Sequence, residues 1–156
     1  MALDAAQTRL GYCKPASMNV KVNDVATILA HIEIHDGKEQ QFEEIIRTLY
    51  EATHRIETKC RRYEYWRGTA PGTYYCLLSF DDFVGFMEHQ TSDHHEAPDF
   101  PALLKTIRLE WLDPVEGASE LAPTDPQAIP ADASKLMREY AETYPVEMQH
   151  WWQLLR

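Results

Sequence analysis

The segment His89-Gln-Thr-Ser-Asp-His94-His95 holds the densest group of side chains in this sequence that could do chemistry. Histidine titrates near neutral pH, so His89 or His94 could act as a general base or as a donor that orients a substrate. A histidine at a helix end can instead simply hydrogen-bond to a backbone carbonyl. We interpret His89 and His94 as candidate catalytic residues, and His95 with its acidic neighbours as solvated surface.

Aromatic residues near this segment could form a binding site for a small aromatic molecule. The tyrosine hydroxyls could orient a substrate hydroxyl, and the phenylalanine rings could form apolar walls. The alternative for each of them is ordinary packing in the core. The candidate binding residues are Tyr63, Tyr65, Tyr74, Phe80, Phe83 and Phe86.

A metal site is an alternative for the histidines, because mixed histidine and carboxylate sets suit zinc, iron or manganese. The candidate ligands fall into two groups, which are His31, Glu33 and His35 on one strand face, and Asp93, His94, His95 and Glu96. Adjacent residues cannot all converge on one ion. We therefore predict no metal site.

Composition excludes several classes of partner. The chain has 156 residues, 44% of them hydrophobic, and a formal net charge of -10. This charge repels phosphate backbones and anionic membrane surfaces, so we predict no nucleic-acid and no membrane partner. Cys13, Cys60 and Cys76 form an odd set without metal-type spacing, which favours reduced thiols in a cytoplasmic protein. No run is long enough for a membrane span, and the N-terminus lacks a signal-peptide pattern.

The pattern of apolar residues predicts how the first half of the chain is organised. Residues 1–25 show no sustained period, which predicts an irregular arm. Residues 27–35 alternate in polarity and predict a half-buried strand, and residues 38–56 carry an apolar stripe typical of a helix. The stripe consists of Phe42, Ile45, Ile46, Leu49 and Tyr50.

Two aromatic-rich runs, residues 60–67 and 73–80, flank a Gly/Pro loop and predict an antiparallel hairpin. If Trp66 faces Thr73, the hairpin has one apolar and one mixed face. The expected apolar face holds Tyr63, Tyr65, Tyr74, Cys76, Leu78 and Phe80.

The remaining elements complete a βαββαβ order. Asp81 or Asp82 can cap a second helix, in which His89 lies on the flank of the apolar stripe. Residues 106–112 predict a last strand. The fold class is therefore α+β, with a ferredoxin-like unit over residues 26–115.

The composition changes after this unit. Residues 116–131 are rich in Pro, Ala, Ser and Thr, which predicts a linker, and residues 132–156 predict a C-terminal helical extension. The extension is too apolar for a free tail. Trp151 and Trp152 could cover the cavity as a lid or clasp a second protomer, and we favour the clasp.

Three features together resemble the antibiotic biosynthesis monooxygenase family. The first is the strand Ile28–His35 leading through Asp36-Gly37 into an acidic amphipathic helix. The second is Arg62-Tyr63-Glu64-Tyr65 on the next strand. The third is the helix from Phe83 to His89, followed after four residues by His94. Phe80 and Leu78 depart from the family pattern, which often has a Trp and a Glu there.

The resemblance implies a dimeric α/β barrel in which the sheets of two protomers pack face to face. It also implies a ligand cavity between the sheet and helices of one protomer. Many members oxidise phenolic, quinol or polyketide substrates with O2 and no metal or organic cofactor, while relatives bind and degrade haem. His89 and His94 fall on the two family histidines.

We therefore expect a homodimeric, cofactor-independent monooxygenase acting on a small phenolic or quinol-type aromatic molecule. Such chemistry needs a deprotonatable substrate and a dry apolar pocket. One alternative is a non-catalytic ligand-binding or regulatory protein with the same fold. Another is a haem-binding or haem-degrading relative, with His89 or His94 as axial ligand.

Overall fold

The computed structural model of the protein describes residues 25–156. The predicted irregular arm and Cys13 thus lie outside the described residues, except for Val25. This residue forms a parallel β-bridge with Thr124 and is fully buried. The first described residue is therefore tied to the segment that was predicted to be a linker.

Four antiparallel strands form one sheet in the order β2-β3-β1-β4. The strands are β1 (Ala26–Ile34), β2 (Cys60–Arg67), β3 (Thr73–Phe80) and β4 (Leu104–Trp111). The two main helices are α1 (Glu39–Ile56) between β1 and β2, and α2 (Phe83–Gln90) after β3. This connectivity is a split βαβ arrangement, so the prediction of a ferredoxin-like α+β fold is confirmed.

The strand β1 lies at the centre of the sheet, and its burial alternates as its sequence predicts. Its residues Ile28, Ala30, Ile32 and Ile34 face the core. In α1 the buried stripe consists of Phe42, Ile46, Leu49, Ala52 and Thr53. Tyr50, which was predicted in this stripe, is 45% exposed. The helix is therefore rotated about its axis relative to the predicted apolar stripe, so that Ala52 and Thr53 face the core and Tyr50 does not.

The hairpin β2–β3 has the predicted bounds and the predicted apolar face, but a different register. Trp66 pairs with Tyr75 and Arg67 with Tyr74, so Trp66 does not face Thr73. The backbone N–H of Gly68 donates to the carbonyl of Thr73 at 2.8 Å, which extends the pairing toward the turn. Because the shift amounts to two residues, the side chains keep their faces.

The segment between α2 and β4 is more helical than predicted. Asp82 caps α2 by accepting a hydrogen bond from the backbone N–H of Gly85 at 2.6 Å. Two short helices follow, α3 (Asp93–Glu96) and α4 (Phe100–Leu103). The last strand begins at Leu104, two residues earlier than predicted, because Ile34 pairs with this residue across a register shift.

The C-terminal segment contains α5 (Lys135–Thr143) and α6 (His150–Gln153) and packs on its own domain. The indole N–H of Trp111 donates to the carbonyl of Pro145 at 2.9 Å. Trp152 is 8% exposed and belongs to the main core, whereas Trp151 is 61% exposed. In this chain Trp152 therefore packs within one protomer. No helix in residues 25–156 is long and apolar enough to cross a membrane.

Candidate functional site

Three helix ends meet beside the β2 edge of the sheet. Glu57 occupies the C-cap position of α1, His89 lies in the last turn of α2, and His94 lies in α3. The backbone N–H of Ser92 donates to the carbonyl of His89 at 3.1 Å, which turns the chain between α2 and α3. This turn brings the two predicted histidines to the same carboxylate.

Glu57 is the shared partner of both histidines. Its Oε1 lies 2.9 Å from His89 Nδ1 and 2.7 Å from His94 Nε2. An ionised carboxylate can only accept hydrogen bonds, so the N–H groups at His89 Nδ1 and His94 Nε2 both donate to it. The side chain of Glu57 is 12% exposed. Sequence reasoning did not single out this residue, and only its position at a helix end could have drawn attention to it.

His89 is fully buried, although the helical pattern placed it on the flank of the apolar stripe. Its ring lies 4.7 Å from the ring of Tyr63 and 5.1 Å from that of Phe80, measured between centroids. Among the described residues, no hydrogen-bond partner contacts its Nε2. His89 is therefore fixed on one side by Glu57 and surrounded by aromatic rings on the other.

His95 is part of this cluster, so the interpretation of this residue as solvated surface is wrong. Its ring lies 4.7 Å from His89 and 5.6 Å from Phe100, because the turn of α3 directs it inward. Burial, followed by the nearby His89 and His94, lowers the pKa of His95 to about 3. The imidazole of His95 is consequently neutral at physiological pH.

A cavity of about 390 Å³ lies between the apolar face of the sheet and the helices. Residues from β1, β2, β3 and β4 form one wall, and residues from α2, α3 and α5 form the other. Its lining includes Ile32, Tyr63, Tyr65, Cys76, Leu78, Phe86, Gln90, His95, Glu96, Ile107, Leu109, Tyr140 and Tyr144. The lining of the cavity therefore combines apolar side chains with groups that can form hydrogen bonds, as small-molecule sites commonly do.

Two of the predicted tyrosines meet in this cavity. The hydroxyl groups of Tyr63 and Tyr65 lie 2.8 Å apart. Burial raises the pKa of both tyrosines, and it also raises the pKa of the neighbouring Cys76 thiol. All three groups therefore keep their hydrogens near neutral pH and can act as hydrogen-bond donors.

The C-terminal segment supplies part of the cavity wall. The hydroxyl of Tyr140 donates to Glu96 Oε1 at 2.6 Å, and Tyr144 lies 6.0 Å from Tyr140 between ring centroids. Burial and the bond to Glu96 raise the pKa of Tyr140 to about 12. The sequence placed both tyrosines in the predicted C-terminal extension but did not indicate where this extension packs. Their position at the cavity was therefore not predicted.

Tyr74, the third predicted tyrosine, lies outside this cavity. Its hydroxyl donates to Glu43 Oε1 at 3.1 Å, and Arg67 donates to both oxygens of that carboxylate at 2.7 Å. These donors, chiefly Arg67, lower the pKa of Glu43 to about 2. The three residues border an open groove of about 840 Å³ between α1 and β2. The groove holds none of the candidate histidines.

The predicted phenylalanine walls are only partly brought together. Phe86 lines the cavity, whereas Phe80 and Phe83 pack in the core behind it. Phe80 contacts the His89 ring, and Phe83 lies 6.1 Å from Trp111 between ring centroids. The catalytic roles expected for His89 and His94 remain predictions, and neither side chain lines the cavity.

The haem alternative does not fit the geometry of the two nominated axial ligands. His94 Nε2 is bonded to Glu57, and the free Nε2 of His89 is buried among aromatic rings outside the cavity. Neither nitrogen is therefore directed at a ligand in the cavity.

Neither of the two candidate groups of metal ligands, the one at residues 31–35 and the one at residues 93–96, comes together as a set of three ligands. His31 Nε2 lies 2.8 Å from Glu110, across the β1–β4 pair. Within residues 25–156, the one set of three or more candidate ligands whose atoms lie within 4.8 Å of one another is Glu57, His89 and His94. Of the residues named as candidate metal ligands from the sequence, only His94 belongs to this set.

The chain therefore has a ferredoxin-like α+β fold with a cavity on the helical face of its sheet. Residues 26–97 match the model of the antibiotic biosynthesis monooxygenase family. The resemblance inferred from the sequence is thereby confirmed. The family supports a monooxygenase-type function. No significant match to a curated protein was found.

Solved structures show the same fold. A proposed antibiotic biosynthesis monooxygenase from Caulobacter crescentus is 22% identical, with a TM-score of 0.56, over 61% of this chain and 93% of that chain. A Pseudomonas aeruginosa protein is 22% identical, with a TM-score of 0.55, over 60% and 97%. A Mycobacterium tuberculosis protein is 18% identical, with a TM-score of 0.54, over 62% and 100%. These structures match the domain, and about two fifths of this chain lies outside each match.

Proposed function

We propose that the protein is a cofactor-independent monooxygenase that oxidises a small phenolic or quinol-type aromatic molecule with O2. The cavity beside His95 is the observation that supports this function most directly. Its volume of about 390 Å³ suits a small ligand, and its walls combine apolar side chains with tyrosine and histidine groups that can form hydrogen bonds. Exclusion of water from such a site protects reactive oxygen intermediates from side reactions.

The proposed reaction balances without a reductant. A phenol with a free ring position reacts with one O2 to give a quinone and water. One oxygen atom forms a new carbonyl on the ring, and the other leaves as water with the phenolic hydrogen and the displaced ring hydrogen. The substrate supplies all of the electrons that O2 accepts.

The polar side of the cavity would orient the substrate hydroxyl. Tyr65 and His95 can hydrogen-bond to it, and Tyr63 holds the Tyr65 hydroxyl at 2.8 Å. His89 contacts the ring of His95, and Glu57 links His89 to His94. We therefore propose His89 and His94 as positioning residues, rather than groups that touch the substrate.

The assembly and location of the protein are part of the same proposal. A homodimer would pair the sheet faces that point away from the cavity, where Trp66 and Tyr75 are 59% and 38% exposed. The free thiols of Cys60 and Cys76 are typical of a reducing compartment, which supports the cytoplasm.

Oxygen uptake tests the function. A panel of phenols, quinols and polyphenols is added to the protein in an oxygen-electrode cell, and product is identified by mass. At least one substrate is expected to consume O2. Ile107→Trp should abolish O2 uptake, because Ile107 lines the cavity and a larger side chain there would fill space that the substrate needs. Ile107 is 49% exposed, so the larger side chain should not disturb the core. Val115→Trp, at a residue that is 72% exposed and away from the cavity, is the matched control.

Tyr65→Phe tests how the substrate is oriented. Loss of one hydrogen bond to the substrate, about 1.4 kcal/mol, is expected to lower kcat/KM about 10-fold. Trp66→Phe, on the opposite sheet face, should leave kcat/KM unchanged. The function is overturned if no panel member consumes O2 while aromatic molecules still raise the melting temperature. In that case the cavity belongs to a ligand-binding protein.

A further inference from the structure

We propose that Glu57, His89 and His94 form a binding site for a divalent transition-metal ion, with Zn²⁺ as the best match to the ligand set. Two imidazole nitrogens and one carboxylate are ligands that zinc commonly takes in proteins. The three side chains come from the ends of α1 and α2 and from α3, and their ligand atoms lie within 4.8 Å of one another. None of the three lines the cavity, so the ion would not touch the substrate, although it would bind the two histidines that the proposed function treats as positioning residues.

The spacing of the ligand atoms is close to what an ion requires. Ligands bound at about 2.0–2.2 Å from zinc in neighbouring positions are separated by roughly 3.0–3.5 Å. Glu57 Oε1 and Oε2 lie 2.9 and 3.1 Å from His89 Nδ1. Glu57 Oε1 lies 2.7 Å from His94 Nε2. These oxygen–nitrogen distances are slightly shorter than those around a bound zinc ion, and all of the ligand atoms lie within 4.8 Å of one another.

Two hydroxyl groups add oxygen atoms beside the same nitrogen. His94 Nε2 lies 3.3 Å from Ser92 Oγ and 3.4 Å from Thr53 Oγ1, besides its contact with Glu57. A single ring N–H can serve only one of these oxygens well. A cation at this position could use several, and a hydroxyl or a water molecule could complete a four-coordinate shell.

The buried nitrogen of His89 supplies an independent observation. When Nδ1–H donates to Glu57, Nε2 carries a lone pair, and it has no partner among the described residues. An unsatisfied buried acceptor destabilises the folded state. Metal ligation through Nδ1 moves the ring hydrogen to Nε2. The rings of Tyr63 and His95 each lie 4.7 Å from the His89 ring between centroids, so His89 stays in aromatic surroundings in either form.

Ion binding would join the ends of three helical segments. Each ring would offer one nitrogen lone pair to the ion, Nδ1 from His89 and Nε2 from His94. Zinc is not redox-active, and the bound ion would raise the stability of the folded chain by mass action. Glu57 and His94 are 12% and 18% exposed, so the ion can enter from their side.

Metal titration of the full-length, chelator-treated protein tests the site. Zn²⁺ is added in competition with a chromophoric chelator, and Co²⁺ is added separately to record the visible spectrum of bound ion. One ion per chain is expected, with a higher melting temperature and Co²⁺ absorption bands typical of nitrogen ligation. Mg²⁺, which prefers oxygen ligands and octahedral geometry, should not raise the melting temperature.

Glu57→Gln and His94→Gln should each weaken Zn²⁺ binding by more than about 10-fold, since even changes around a metal site cost this much. His54→Gln is the matched control, because His54 is exposed on α1 and bonds only to the backbone of Tyr50. Binding that both test variants retain overturns the site. Absence of stoichiometric Co²⁺ bands in the unaltered protein also overturns it, whether or not the variants fold. The three residues would then form a hydrogen-bond network only.

Discussion

At the scale of single residues, the histidines divide into two roles that their sequence positions do not reveal. His89 and His94 meet at Glu57, while His95 faces the cavity. Helical spacing states which face of a helix a residue occupies, but not what lies opposite that face. The partner of His89 is Glu57, which lies 32 residues earlier in the chain, at the C-cap of α1.

Glu43 gives a residue-scale prediction about pH. The Arg67 guanidinium and the Tyr74 hydroxyl hold the pKa of this carboxyl at about 2, below its ordinary value of 4.5. A carboxyl whose pKa is lowered on folding stabilises the fold above its unfolded pKa, and this contribution disappears as pH falls through the folded pKa. Its contribution should therefore be complete at pH 6 and lost between about pH 4.5 and pH 2.

Urea unfolding of the unaltered protein and of Glu43→Gln over this pH range measures the effect. The unaltered protein should be more stable at pH 6, and the difference should shrink as the pH approaches 2. Glu44→Gln, an exposed neighbour on α1, serves as control and should show a smaller difference. A difference for Glu43→Gln that does not change with pH would contradict the prediction.

At the scale of elements, local pattern predicted the strands and main helices well, and the contacts between elements less well. The hairpin bounds follow from the tyrosine-rich and tryptophan-containing runs on either side of a Gly/Pro loop. Its register depends on the turn, where the Gly68–Thr73 bond and the positive φ of Gly72 (70°) set the pairing. The orientation of α1 about its own axis depends on which of its side chains pack against the sheet. The sequence pattern of the helix alone does not fix this, and Tyr50 remains exposed.

The C-terminal segment gives a prediction at this scale. Trp152 packs into the core of its own domain, so Trp152→Ala should lower the free energy of unfolding by about 3–5 kcal/mol. Trp151→Ala should change it by less than about 0.5 kcal/mol, because Trp151 is 61% exposed. Chemical denaturation of both variants gives the comparison. Equal effects would show that the segment does not dock as described.

At the scale of the whole molecule, the sheet has one face toward the helices and one face that the described chain covers only in part. On the second face Thr27 and Ser79 are buried and bonded to each other at 3.1 Å, near Thr124. Towards the other end of the strands, Trp66 and Tyr75 remain exposed. Exposed aromatic residues on a mixed face are common at protein interfaces.

The proposed homodimer predicts a mass in solution of twice the 18.1 kDa chain. Tyr75→Arg places a charge in the middle of the second sheet face, and it should shift the protein toward monomer. Trp151→Arg also adds a charge at an exposed aromatic residue, but away from the sheet, and should leave the mass unchanged. Light scattering coupled to size-exclusion chromatography measures both. A monomeric unaltered protein would contradict the proposed assembly.

The sequence by itself determined the element order, the apolar face of the sheet, the family resemblance and the residue types at the site. These depend on local periodicity, turn residues and short motifs, which a linear pattern contains. Only the tertiary structure decided that Glu57 joins His89 to His94, that His95 and Tyr140 reach the cavity, and that Tyr74 does not. Those outcomes depend on contacts between residues far apart in the chain, since packing of helices on a sheet fixes which side chains meet.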